Sequence, residues 1–193
     1  MKILVLFAHP ALQKSSINSH LIEGLDSMTG VTFHDLYETY PDYDIDVSQE
    51  QDLLIQNDCI IFHHPMYWYS QPAIMKEWMD LVLIHGWAYG SKGNALKDKL
   101  FFNALTTGGP RDAFNEDGLH GHTINEILVP VDLTAKRCKM INLPPFVVHG
   151  TYAMEKDELQ AHKNKYKNLL ETIVSDQLDL ERALKLDYLN DYQ

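Results

Sequence analysis

The stretch Lys2-Ile3-Leu4-Val5-Leu6-Phe7-Ala8, followed at once by His9-Pro10, decides the fold. From Ile3 to Ala8 the residues are apolar without interruption, the pattern of a strand covered on both faces rather than one with a wet side. Further strand candidates lie at 31–36, 59–62, 99–106 and 146–149. Between them lie segments with apolar residues at helical spacing. The first begins near Ser16 with Ile17, Leu21, Ile22 and Leu25, and a short helix capped by Ser48 is expected next. After Pro72 come Ile74, Met75, Trp78, Met79, Val82 and Leu83. A further helix is expected within 123–137, and Leu159, Tyr166, Leu169, Leu170 and Ile173 mark a closing one over 157–174. Strands that alternate with helices imply a parallel sheet with helices on both faces. Five strands predict an α/β, doubly wound, flavodoxin-like sheet of order 2-1-3-4-5.

Composition narrows the function classes. A chain of 193 residues, 45% hydrophobic, supports one core. It is expected to occupy 1–175, with an acidic tail over 176–193 forming an amphipathic helix outside it through Leu178, Leu184, Leu186 and Leu189. A formal net charge of -11 argues against nucleic acid or anionic lipid as a partner. The two cysteines, Cys59 and Cys138, lack CxxC spacing, and no apolar run reaches signal-peptide or membrane-spanning length, so the expected location is the cytoplasm.

In a doubly wound sheet a ligand lies beyond the carboxyl ends of the strands, where the strand order reverses. Three loops there stand out. The first runs from His9 through Ser15, Ser16, Ile17 and Asn18 into a helix, a set of hydroxyl, amide and backbone donors suited to a phosphate or, more plainly, to a helix cap. It has neither a P-loop nor a GxGxxG pattern, which disfavours nucleoside triphosphatases and Rossmann dehydrogenases. The second carries Met66, Tyr67, Trp68 and Tyr69, whose aromatics suit a planar ring such as isoalloxazine or a hydrophobic dimer patch. The third is Thr106-Thr107-Gly108-Gly109, in which paired glycines let a ligand approach the backbone.

With 86–90 (Gly-Trp-Ala-Tyr-Gly) and 64–70 (His-Pro-Met-Tyr-Trp-Tyr-Ser), these motifs resemble the NAD(P)H dehydrogenase (quinone) family, especially its bacterial branch with the ancillary protein of a potassium-efflux system. The resemblance implies a flavoprotein homodimer that passes a hydride from NADH or NADPH to FMN, or alternatively FAD, and on to a quinone. It implies flavin contacts from His9, Ser15 to Asn18, Met66 to Tyr69 and Thr106 to Gly109, and substrate contacts from Trp87 and Tyr89, which would reach the partner's site, and from Phe114 and His120. His120 is the expected proton donor. Mammalian relatives pair that histidine with a tyrosine where this chain has Phe114, which has no hydroxyl.

Two alternatives share the fold: a one-electron carrier, and a regulatory subunit that docks on a membrane transporter. No metal is expected, since the ten histidines show neither HExxH nor zinc-finger spacing.

Overall fold

The computed structural model describes residues 1–192. Its elements run in the order β1 (Ile3–Phe7), α1 (Ser16–Ile22), β2 (Val31–Asp35), α2 (Leu36–Thr39), α3 (Val47–Gln56), β3 (Cys59–Pro65), α4 (Ala73–Val82) and β4 (Leu100–Thr106). There follow α5 (Ile124–Ile127), α6 (Val129–Arg137), β5 (Ile141–Asn142), β6 (Phe146–Val148), α7 (Lys156–Val174) and α8 (Leu180–Ala183). All strand pairings are parallel, in the order β2-β1-β3-β4-β5, with β6 also on β4.

The unbroken apolar strands are explained by what covers them. Leu4, Leu6, Ile60, Phe62 and Phe101 face one core with Leu54 of α3, Trp78 of α4 and Val131 of α6. Their alternates Ile3, Val5, Cys59, Ile61 and Phe102 face a second core with Leu21 of α1 and Tyr166, Leu170 and Ile173 of α7. Successive side chains point to opposite faces, so a strand covered on both sides, such as β1, is apolar along its length.

The fifth strand position is filled twice. β5 pairs with Leu100 and Phe101, and β6 pairs with Ala104 to Thr106 on the same edge of β4. Pro144 and Pro145 lie between the two segments and have no N–H to give the ladder, so the strand expected at 146–149 is preceded by a separate two-residue strand that the sequence reading did not expect. The 123–137 segment is likewise divided, into α5 and α6, with Pro130 in the first turn of the second. Asp46, rather than Ser48, caps α3, accepting the Gln49 amide at 3.0 Å.

Residues 176–192 carry the short helix α8 and a 3-10 turn at Leu189–Asp191, folded against the sheet edge rather than forming one helix outside it. The amide of Leu189 donates to Pro145 O at 2.9 Å. The Asn190 carboxamide accepts from Val147 N at 2.8 Å and donates to Val147 O at 2.9 Å, and so stands in for a missing neighbour strand. No helix among the described residues is long and apolar enough to cross a membrane.

Candidate active site

The loops after β1, β3 and β4 meet at the carboxyl edge of the sheet, and Thr106 joins them. Its hydroxyl accepts from the Asn18 amide at 3.2 Å, and its carbonyl accepts from Met66 N at 2.8 Å. Asn18 also donates to Ser15 Oγ at 3.1 Å, which caps α1 by accepting from Asn18 N. A cavity of about 370 Å³ opens here, lined by His9, Lys14, Ser15, Ile17, Asn18, Met66, Tyr67, Thr106 and Gly108. Next to it, a second space of about 210 Å³ shares Met66 and Gly108 and is completed by Trp68, Tyr69, Thr107, Gly109, Phe114 and His120. Of the residues expected to hold the cofactor, only Ser16 lines neither space.

Charge at the narrow end is arranged for an anion. Burial pushes His9 below the usual histidine range against a weaker backbone hydrogen bond, so it stays neutral, its Nδ1 accepting from Ala11 N at 3.1 Å. The neutral ring keeps an Nε2–H to donate. Lys14, Ser15 and Asn18 add an ammonium, a hydroxyl and an amide.

The third loop is held from the side of β6. Thr107 N donates to Val148 O at 2.9 Å, Gly150 N donates to Gly109 O at 2.9 Å, and Thr151 N donates to Thr107 O at 3.1 Å. The carbonyls are thereby engaged, while among the described residues the amides of Gly108 and Gly109 find no protein acceptor. Free amides of this kind suit an electron-rich ligand edge. A side chain at Gly109 would meet Phe114 at 3.1 Å and His120 at 3.2 Å, and one at Gly108 would strike the Tyr152 ring at 2.2 Å. A side chain at Gly109 fits only if Phe114 and His120 give by a few tenths of an ångström, and one at Gly108 only if the exposed Tyr152 ring moves aside.

The second loop is a strained hairpin turn. Tyr67 and Ser70 exchange backbone hydrogen bonds of 2.9 and 3.0 Å, and between them Trp68 and Tyr69 both have positive φ, 49° and 64°. Two successive left-handed residues make a turn that Asn-Gly fills without strain, whereas bulky residues there cost roughly 1–2 kcal/mol each. The turn points Trp68 into solvent, 93% exposed, and brings the Tyr69 hydroxyl to 3.3 Å from His120 Nδ1. His120 in turn stacks on Phe114, with ring centroids 4.3 Å apart and planes 30° apart.

Trp87 and Tyr89 do not join this crevice within the chain. Tyr89 lines a separate open groove of about 580 Å³ between α4 and α6, with Lys76, Met79, Asp80, Leu133 and Arg137. That groove is the larger one, but no strand-end loop reaches it. Five lining residues lie outside the expected set: Ala11, Lys14, Pro65, Thr151 and Tyr152. The last two follow β6, and the rule that placed loops after β1, β3 and β4 applies equally to that strand.

A family model described as a flavodoxin-like fold matches residues 1–170. The chain belongs to that family. Within this flavodoxin-like family, the glutathione-regulated potassium-efflux system ancillary protein KefG of Enterobacter sp. (strain 638) is 41% identical over 165 residues, covering 86% of this chain and 90% of the relative. The general stress protein 14 of Treponema denticola, solved in complex with FMN, is 34% identical with a TM-score of 0.82, over 92% of this chain and 100% of that one. An NADPH-quinone reductase from P. pentosaceus is 35% identical with a TM-score of 0.80, over 88% of this chain and 97% of that one.

Proposed function

We propose that this flavodoxin-like protein is a flavin-dependent NAD(P)H:quinone oxidoreductase that binds FMN in the crevice. The observation that carries the proposal is the joining of three loops at Thr106, which puts an anion-suited end, free glycine amides and an aromatic wall along two adjoining cavities. Lys14, Ser15, Asn18 and His9 would hold the phosphate, Gly108 and Gly109 would face the polar edge of the flavin ring, and Met66 to Tyr69 would cover it. The flavin supplies the two-electron chemistry, accepting a hydride from NADH or NADPH and giving it to the quinone. The chain positions both substrates in turn, excludes water with its aromatic wall and brings a proton through His120.

The protein is proposed to work as a homodimer in which Trp87 and Tyr89 complete the partner's crevice. Exposed Leu133 and half-buried Tyr89 beside the α4–α6 groove support that face as the contact.

Purified protein is expected to be yellow and to release FMN, identified by mass. Without oxygen, NADH or NADPH should bleach it and an added quinone should restore the colour. A colourless protein that takes up no FMN overturns the proposal. A second reading, as a regulatory subunit of a membrane transporter, is favoured by the similarity to KefG. In that case Gly109→Leu, which fills the ring end of the crevice, should remove the flavin and leave binding to a transporter fragment intact.

A further inference from the structure

We propose that Tyr69 is a positioning residue that fixes the orientation and tautomer of His120, so that its Nε2 faces the acceptor. This rests on the quinone-reductase reading above. Three independent observations converge on it.

The first is the contact itself, Tyr69 Oη to His120 Nδ1 at 3.3 Å, with the rings edge to face at 5.5 Å. The second is what holds the imidazole otherwise. His120 N donates to Ala113 O at 3.0 Å, and the ring stacks on Phe114, itself only 6% exposed within a small core of Leu105, Ala113, Ile124, Leu128 and Val147. Stacking fixes the plane of the imidazole but leaves open a half-turn about Cβ–Cγ, which exchanges Nδ1 with Cδ2. Phe114 has no hydroxyl to stop that rotation, and Tyr69 has one. With Nδ1 engaged, Nε2 falls at the Gly109 edge of the crevice, 3.2 Å from where a side chain at Gly109 would begin.

The third is the strain in the turn. Trp68 and Tyr69 occupy positions at φ of 49° and 64° that glycine or asparagine would fill more easily. Strain of this kind persists where the surroundings require it, and here it delivers a phenol to an imidazole.

The proton transfer balances as follows. The acceptor takes two electrons and one hydrogen nucleus as a hydride from the reduced flavin, which leaves a quinol monoanion. Its oxygen then takes a proton from Nε2 of the His120 imidazolium, forming O–H as N–H breaks. The neutral ring keeps Nδ1–H, which donates to Tyr69 Oη, and Nε2 recovers its proton from water.

The test uses the whole protein and Tyr69→Phe, which keeps the ring and removes only the oxygen. In flavin-free protein, nitrogen NMR should show His120 as the Nδ1–H tautomer in the wild type and a shift toward Nε2–H in the variant. An unchanged tautomer overturns the proposal. In flavin-loaded protein, stopped-flow should show the quinone half-reaction slowed about tenfold more than the NADPH half-reaction, and equal slowing of both overturns it as well. Replacing Trp68 and Tyr69 together by Asn-Gly should raise the melting temperature of flavin-free protein, and a lower one removes the strain argument. If the wild type is colourless and never cycles, the reductase reading fails, while the tautomer measurement still decides the Tyr69 contact.

Discussion

At the scale of single residues, the interior holds more polar chemistry than any motif shows. His63 is buried between Phe7 and Tyr166, with ring centroids 5.2 and 5.3 Å away, and burial brings its pKa down to about 3. The folded protein refuses a proton that the unfolded chain takes near pH 6.5. Stability is therefore full above that pH and is lost as pH falls from about 6.5 towards about 3. His63→Phe should flatten the dependence of urea midpoint on pH between 6.5 and 4, and a slope equal to wild type would clear His63 of the effect. Glu50 shows the same limit of a sequence reading. It lies in a polar segment that reads as a wet helix face, yet it is fully buried and accepts from Tyr40 Oη at 2.6 Å, Trp78 Nε1 at 2.7 Å and His34 Nε2 at 2.8 Å. Burial raises its pKa, and these hydrogen bonds outweigh that and leave it lowered. Three partners from distant positions satisfy it, and no local pattern announces them.

At the scale of elements, strands were legible because coverage on both faces writes itself as an apolar run. β1 and β4 were found within a residue or two, and the α4 stripe of Ile74, Met75, Trp78, Met79 and Val82 is buried throughout. What escaped were places where backbone chemistry overrides side-chain pattern: the Pro144-Pro145 break, the division at Pro130 and the turn at 67–70. The tail was misplaced for a related reason. Its leucines read as an amphipathic helix, while its anchoring group is one carboxamide. Asn190→Leu should leave the buried amide and carbonyl of Val147 without partners. We expect it to cost about 2–6 kcal/mol, since each of the two groups costs about 1–3 kcal/mol. The loss should appear as a lower urea midpoint, with faster hydrogen exchange confined to β6 and its neighbours. An unchanged midpoint would mean that water replaces the carboxamide without penalty.

At the scale of the whole molecule, the site's general position followed from topology alone, because the strand order reverses between β1 and β3 and puts the crevice there. For a second copy's crevice the sequence offered Trp87 and Tyr89, through the family resemblance alone. Tyr89 lines the α4–α6 groove, where Leu133 is 60% exposed. If that face is the dimer contact, Leu133→Asp should shift the sedimentation coefficient from dimer to monomer. It should also lower quinone turnover by an order of magnitude or more while the isolated chain stays folded. A variant that remains dimeric would locate the contact elsewhere.

The same hairpin that turns Trp68 outward gives the molecule an optical property. Trp78 is sealed in the core and Trp87 is half-buried, so Trp68 is the indole most open to water and lies on the rim of the crevice. Its emission should be the most red-shifted of the three, and a yellow chromophore entering beside it would overlap that emission and quench it. Loading of the crevice could then be followed by fluorescence without label or substrate, and Trp68→Phe would darken the signal without altering the other two.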